Sequence, residues 1–147
     1  MELEQGVTAA GQAYGGPAWN VVGHVYTPTL VSENVFLWHA AIPAGTFVPP
    51  HVHPTQDEWI VMQEGVLEVE FGTETMTARP GDTIRMPMGK PHGIFNRSDA
   101  PAVALFGVAP ARRLFELFGR LDGVTDPAEL VRISAEHEVD FLPPPAG

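Results

Sequence analysis

An all-β fold, a jelly-roll barrel closed by two C-terminal α-helices, is predicted by three features of this sequence. Runs of four to eight aromatic, β-branched or aliphatic residues recur between turn formers, and the 147 residues include 15 glycines and 15 prolines. Residues 66–71 alternate, with Val66, Glu68 and Glu70 on one side and Leu67, Val69 and Phe71 on the other, the period of a strand with one buried face. Helical periodicity begins only after residue 110. Short strands separated by turns are how a sandwich of antiparallel sheets reads.

Residues 1–18 carry Gly6, Gly11, Gly15, Gly16 and Pro17 among small polar residues, and are expected to be irregular and available to pack on a partner subunit. The barrel is expected over residues 19–110. Its strands should lie at 19–26, at 34–42 after a turn near Pro28, at 59–63, 66–71, 75–78 and 83–86, around His92, and at 101–108. Residues 111–147 belong to the same domain. Leu114, Phe115, Leu117, Phe118 and Leu121 form a stripe at helical spacing over 111–120, suited to packing on the barrel or on a neighbour. A second helix opens at Asp126-Pro127-Ala128-Glu129, with Asp as N-cap, Pro at the first helical position and Glu three residues on, and should run to about Glu136. Phe141, Leu142 and the prolines at 143–145 are expected to form a non-helical tail.

A formal net charge of −10 opposes binding to nucleic acid or to anionic membrane surfaces. There is no cysteine, hence no disulfide, thiolate ligand or thiol nucleophile. The acidic start Met1-Glu-Leu-Glu-Gln lacks the basic and apolar regions of a secretory signal, and no run reaches the roughly 18 apolar residues of a membrane span. A cytoplasmic protein is expected.

The chemistry concentrates between Gly45 and Asn96. Two histidines and a carboxylate fall within eight residues, His51, His53 and Glu58, and His92 follows as a fourth candidate metal ligand. Pro49, Pro50 and Pro54 argue against a helical site, so His51 and His53 are read at strand spacing, where residues two apart share a face. His24, His39 and His137 match no such pattern and are expected to pack or to lie on the surface. Trp38, Trp59, Phe36 and Phe106 are read as core aromatics, and Lys90 and Arg85 as solvated charges.

Gly45-(5)-His51-x-His53-(4)-Glu58-(6)-Gly65 and Gly81-(5)-Pro87-x-Gly89-(2)-His92-(3)-Asn96 resemble the two signatures of the cupin superfamily at all ten fixed positions. The first signature admits a gap of three or four residues, which would select Asp57 or Glu58; Gly65, separated from Glu58 by six residues, selects Glu58. The stretch PPHVHPTQDEWIVMQEGVLEVEFG, the segment RMPMGKPHGIFNRSDAPAVALFGVAP and the ending HEVDFLPPP look like single-domain bacterial cupins grouped with quercetin 2,3-dioxygenase-like proteins. That resemblance implies a cupin jelly-roll and one metal per chain held by His51, His53, Glu58 and His92, with Glu58 also taking the substrate proton.

Three imidazoles and one carboxylate around a divalent ion leave a net charge of about +1 and open coordination positions, suited to an anionic, enolisable small molecule. The donor set accepts Fe, Mn, Ni, Co, Cu or Zn. A dioxygenase acting on a phenolic or enolisable substrate is the expected function. A redox-neutral isomerase, decarboxylase or polyketide-cyclase-like enzyme, or a non-catalytic binder, is the alternative. Along its strand Trp59 should point opposite to Glu58, and an outward tryptophan beside the 114–121 stripe would need cover, so a homodimer is expected.

Overall fold

The computed structural model describes residues 2–143, so Pro144 and Pro145 of the expected tail lie outside the described residues. Eleven strands and two helices are present among them. In chain order they are β1 Trp19–Val21, β2 His24–Val31, β3 Phe36–Ile42, β4 Phe47–Val52, β5 Asp57–Glu64, β6 Leu67–Phe71, β7 Glu74–Ala78, β8 Thr83–Met86, β9 His92–Phe95, β10 Ala102–Ala109, α1 Leu114–Leu121, α2 Pro127–Ala135 and β11 Asp140–Phe141. Two antiparallel sheets result, one in the order β1-β2-β3-β10-β5-β8 and the other β11-β4-β9-β6-β7. This is the predicted jelly-roll with its helices at the C-terminal end.

Period-two patterning decides which side chains fill the barrel. Phe36, Trp38, Ala40 and Ile42 on β3 are at most 1% exposed, Ile60 and Met62 on β5 continue that inward face within the same sheet, and buried Leu67 and Val69 on β6 belong to the other sheet. The register sets Trp38 opposite Phe106, and Phe106 opposite Ile60, so these three line one inward row. The next row, Leu37, Gly107 and Trp59, faces outward. Trp59 lies across Gly107 so closely that a Cβ there would sit 2.4 Å from its ring.

Local sequence accounts for most turns, and the departures have physical causes. Val22 and Gly23, both at positive φ, split the strand expected at 19–26 into β1 and β2. The expected turn near Pro28 is absent, because β2 runs through it. Strand β1 covers β2 only as far as Tyr26, and the polar edge of Pro28 faces the uncovered side, where its carbonyl accepts from the Tyr14 N–H at 2.8 Å. A missing N–H is tolerated on such an edge. The chain turns instead at Ser32, whose hydroxyl accepts from the N–H groups of Asn34 and Val35. Helix α1 starts at Leu114 rather than at residue 111, after Arg112 at φ 49. Helix α2 opens as read, the Asp126 carboxylate accepting from the Ala128 N–H at 3.2 Å with Pro127 in the first turn. Of the expected tail, Phe141 joins Asp140 as β11, paired with β4 at His51 and Val52.

The apolar stripe of α1 is covered within the chain. Phe118 packs 5.0 Å from the rings of Trp38 and Tyr26, and Phe115 packs 5.1 Å from Trp19. Those partners belong to the inward side of the large sheet, whereas Trp59 is on its outer side. The expectation that Trp59 lies beside the stripe is therefore corrected: the tryptophan does point outward, but the stripe caps the barrel interior. No helix among the described residues is long and apolar enough to cross a membrane.

Gly65 has φ 73, and a Cβ there would lie 2.6 Å from the Pro101 carbonyl oxygen and 2.8 Å from the Ala102 Cα. Backbone strain and a backbone clash act together, so Gly65→Ala should destabilise by on the order of 2–3 kcal/mol. Urea denaturation checks this, with Gly72→Ala, at φ 61 but with nothing within 4 Å of the added carbon, expected to cost less.

Candidate metal centre

Strand β4 carries His51 one residue before its end and delivers His53 just beyond it. His92, the first residue of β9, is the cross-strand partner of His51, and their rings lie 4.5 Å apart. Pro49 and Pro50 cannot donate to this ladder, and its register shifts between Val48 and His51. Glu58 enters from β5 in the other sheet, so the four side chains meet between the two sheets. One donor atom from each lies within 4.8 Å of all the others, and none of the four residues is more than 5% exposed. Asp57, the alternative carboxylate, points the other way and accepts from the Met88 N–H at 2.8 Å.

Hydrogen bonds aim two of the imidazoles. The His51 Nδ1–H donates to the Pro49 carbonyl at 2.8 Å, and the His53 Nδ1–H donates to the Gln56 Oε1 at 2.9 Å. Each leaves its Nε2 free as a donor. Gln56 is held in turn by donating its Nε2 hydrogens to the carbonyls of Ala111 at 2.8 Å and Pro110 at 3.1 Å. The His92 Nε2 lies 2.9 Å and the His53 Nε2 3.5 Å from the Glu58 Oε1. The Glu58 Oε1 and both ring nitrogens of His92 are buried, and apart from this close contact they have no hydrogen-bond partner. A cation shared by the Glu58 Oε1 and the His92 Nε2 would satisfy both of these buried atoms, so the residues present fit a divalent metal.

Electrostatics agree. Burial, helped by the neighbouring His92 and His53, lowers the His51 imidazole to about 3, which keeps it a neutral ligand at physiological pH. Burial alone would raise the Glu58 carboxyl, but the charge of His53 and the close contact with His92, with the least help from His51, outweigh it and bring it down to about 2. A neutral imidazole beside an ionised carboxylate is the state that metal binding requires.

The centre opens onto a narrow cavity of about 50 Å³, lined by His51, His53 and Glu58 on one wall. Leu114, Leu117, Phe118 and Leu121 of α1, with Leu130 and Ser134 of α2, form the other. A wider apolar depression of about 580 Å³ beside Phe141 and Val131 reaches His92, and another of about 590 Å³ lies on the Val22 and Leu130 side of Phe141. Sequence reasoning passed over both Gln56 and Ser134. Gln56 could have been suspected as the one uncharged polar side chain between His53 and Glu58 besides Thr55, whereas Ser134 carries no local signal at all.

The remaining candidates are placed elsewhere. His39 is half-buried on the outer sheet face, Lys90 and Arg85 are exposed, and Trp38, Phe36 and Phe106 are core. Asn96 is buried and ties the Ile42 and Ala100 carbonyls together through its Nδ2, a structural task. His137 donates from Nδ1 to the Ile133 carbonyl at 2.9 Å and meets Glu116 through Nε2. His24 is fully buried with its Nδ1 3.0 Å from the Tyr26 hydroxyl, and burial lowers it to about 4. The unfolded chain takes up that proton near 6.5, so acid favours unfolding between pH 6.5 and 4, by up to about 3 kcal/mol from this group. Urea titrations at pH 7 and 4.5 should show His24→Gln losing less stability on acidification than the wild type.

Comparison with known proteins gives the context. The Cupin domain family matches residues 38–108. The tetracenomycin polyketide synthase protein TcmJ of Streptomyces glaucescens is 31% identical over 85 residues, 57% of each chain. The chain spans about half the length of the curated relatives it matches. The TT1209 protein of Thermus thermophilus is 32% identical with a TM-score of 0.56, over 59% of this chain and 83% of that one. An RmlC-like cupin of Shewanella frigidimarina is 16% identical and shares the fold, with a TM-score of 0.67 over 78% of this chain and 99% of its own. A two-sheet barrel whose three histidines and one glutamate converge between the sheets, matched by the Cupin domain family across β3 to β10, places this chain in the cupin superfamily.

Proposed function

We propose that this chain is a metal-dependent enzyme that binds a phenolic or enolisable small molecule as its oxygen anion and oxidises it with O₂, as a cupin dioxygenase does. The observation that carries this reading is the buried convergence of His51, His53, Glu58 and His92, the first three at the wall of a mostly apolar cavity. One divalent ion held there (Fe, Mn, Ni, Co, Cu or Zn) supplies Lewis acidity toward an enolate oxygen. The chain's own residues do the rest. The three imidazoles set the position of the anion, the leucines and Phe118 exclude water, and a carboxylate oxygen of Glu58 accepts the substrate proton. In the overall reaction both atoms of O₂ enter the product, and the electrons come from the carbon–carbon bond that opens, so no further reductant is needed.

An oxygen electrode tests this with metal-loaded protein and a panel of anionic enols. One O₂ consumed per substrate is expected, with no turnover under nitrogen. Turnover without oxygen uptake would transfer the assignment to a redox-neutral isomerase, decarboxylase or polyketide-cyclase-like enzyme, which the similarity to a polyketide synthase protein favours. Binding without turnover in either atmosphere would leave a small-molecule binding cupin.

A homodimer belongs to the same proposal. Leu37, Trp59, Val61 and Leu105 remain half-buried on the outer face of the large sheet, an apolar surface that a second copy would cover. Light scattering should give about twice the 15.9 kDa chain mass at micromolar concentration, and a monomer would refute it.

A further inference from the structure

The depression of about 590 Å³ lies between the β1–β2 turn, the start of β4 that β11 leaves uncovered, and the first turns of α2. Val22, Leu130 and Phe141 line both this space and the metal-centre cavity, so the two adjoin along three side chains. Phe141 is the cross-strand partner of His51, which puts both on the inward face, with their rings 5.3 Å apart. Among the described residues no charged side chain lines the outer depression, and its polar side chains are those of Thr46 and Thr125 alone. The Thr46 hydroxyl is already used, donating to the Pro43 carbonyl at 2.6 Å.

The turn at Val22 adds an independent observation. Val22 and Gly23 form a two-residue hairpin loop with φ of 49 and 86, where asparagine and glycine are the usual occupants. A β-branched residue at positive φ is strained, yet its side chain is the one that borders both spaces, so an apolar wall at the junction is kept at a cost to the backbone. The other depression, of about 580 Å³, touches His92 and Phe141 but is built differently. Its Pro50, Glu70 and Leu142 sit next to the inward-facing His51, Val69 and Phe141 along the chain, so they belong to the outer face of the small sheet, and Glu70 brings a negative charge.

We propose that the depression of about 590 Å³ is the outer half of the ligand site, and that the ligand carries its anionic oxygen on an uncharged, apolar body larger than a single ring. This rests on the metal-dependent reading above. The inner cavity of about 50 Å³ takes only a few heavy atoms, the oxygen-bearing head, while the outer space falls in the range of about 300 to 1,000 Å³ typical of small-molecule sites. The head meets the ligand cluster, Val22, Leu130 and Phe141 form the throat, and the body lies against Pro127 and Val131. A second charge on that body would lose its water without gaining a partner, so ligands bearing one are rejected.

Hydroxamic acids that share one chelating head and differ in the body test this on Co(II)-loaded protein, by visible spectroscopy and calorimetry and independently of turnover. 4-Phenylbenzohydroxamic acid should bind at least about tenfold more tightly than acetohydroxamic acid, a difference of about 1.4 kcal/mol that burial of one aromatic ring is enough to supply. 4-Carboxybenzohydroxamic acid should bind no more tightly than benzohydroxamic acid. In a Thr125→Glu, Val131→Glu double variant, both positions being exposed, the preference for the phenyl body should shrink to within about twofold while metal content and acetohydroxamate affinity are kept. Leu142→Glu, on the other depression alone, should keep the preference. A wild-type protein indifferent to the body, a carboxylate-bearing body bound more tightly than the phenyl one, a preference that survives the double variant, or one lost equally in Leu142→Glu overturns the outer site and leaves the metal-dependent reading standing. If no hydroxamate perturbs the Co(II) spectrum, both fall.

Discussion

Replacing His92 with alanine should reduce bound metal from one ion per chain to less than about one fifth, in protein that still folds. His92 pairs with His51 across the β4–β9 ladder and sets its Nε2 2.9 Å from the Glu58 Oε1, so its loss removes a donor and uncovers the carboxylate at once. Metal at one hundred times its dissociation constant stabilises a native state by about 2.7 kcal/mol, and that increment should vanish from the melting curve of His92→Ala. His39→Ala, on the outer sheet face, should keep full loading. Elemental analysis after dialysis measures both variants. A His51→Ala, His92→Ala double variant that stays fully loaded would show that the ion sits elsewhere.

Glu58→Gln should separate ligand from base. Glutamine keeps the shape and one carbonyl donor but cannot take a proton, so the variant should retain some metal and still bind a chelating enol. Turnover should fall by about 10² to 10⁴, the usual contribution of a positioned general base. Glu58 is at most 5% exposed between the sheets, and no second carboxylate shares the ligand cluster to replace it. Near-normal turnover in the metal-replete variant would reduce Glu58 to a ligand and imply a substrate that arrives already deprotonated.

The ligand cluster was legible because its residues fall at fixed positions of two spaced signatures, although the fold brings them together from both sheets. His51 and His53 lie two residues apart at the end of one strand, His92 opens the strand paired with it, and the spacing to Gly65 separates Glu58 from Asp57, which points the other way. The helix α2 was legible because an N-cap and a first-turn proline are short-range signals. What escaped depends on contacts distant in sequence. Pro28 reads as a breaker unless it is known that its polar edge faces away from β3, and the α1 stripe does not reveal whether it meets Trp38 inside the barrel or Trp59 outside. Ser134 is one small polar residue on a helix, and only tertiary packing buries it beside the cavity.

The tether through Gln56 makes the metal and the helical cap thermodynamically linked. Its carbonyl oxygen fixes the tautomer of His53, while its amide holds the carbonyls of Pro110 and Ala111, the last residues before the turn into α1. Lifting α1 to admit a ligand must strain those bonds and loosen the aim of one imidazole, and by reciprocity a well-bound ion must hold α1 down. Amide hydrogen exchange in α1 should therefore be slower in metal-loaded than in metal-free protein. Affinity for the ion and ease of entry for the substrate are therefore set against each other through a single amide side chain.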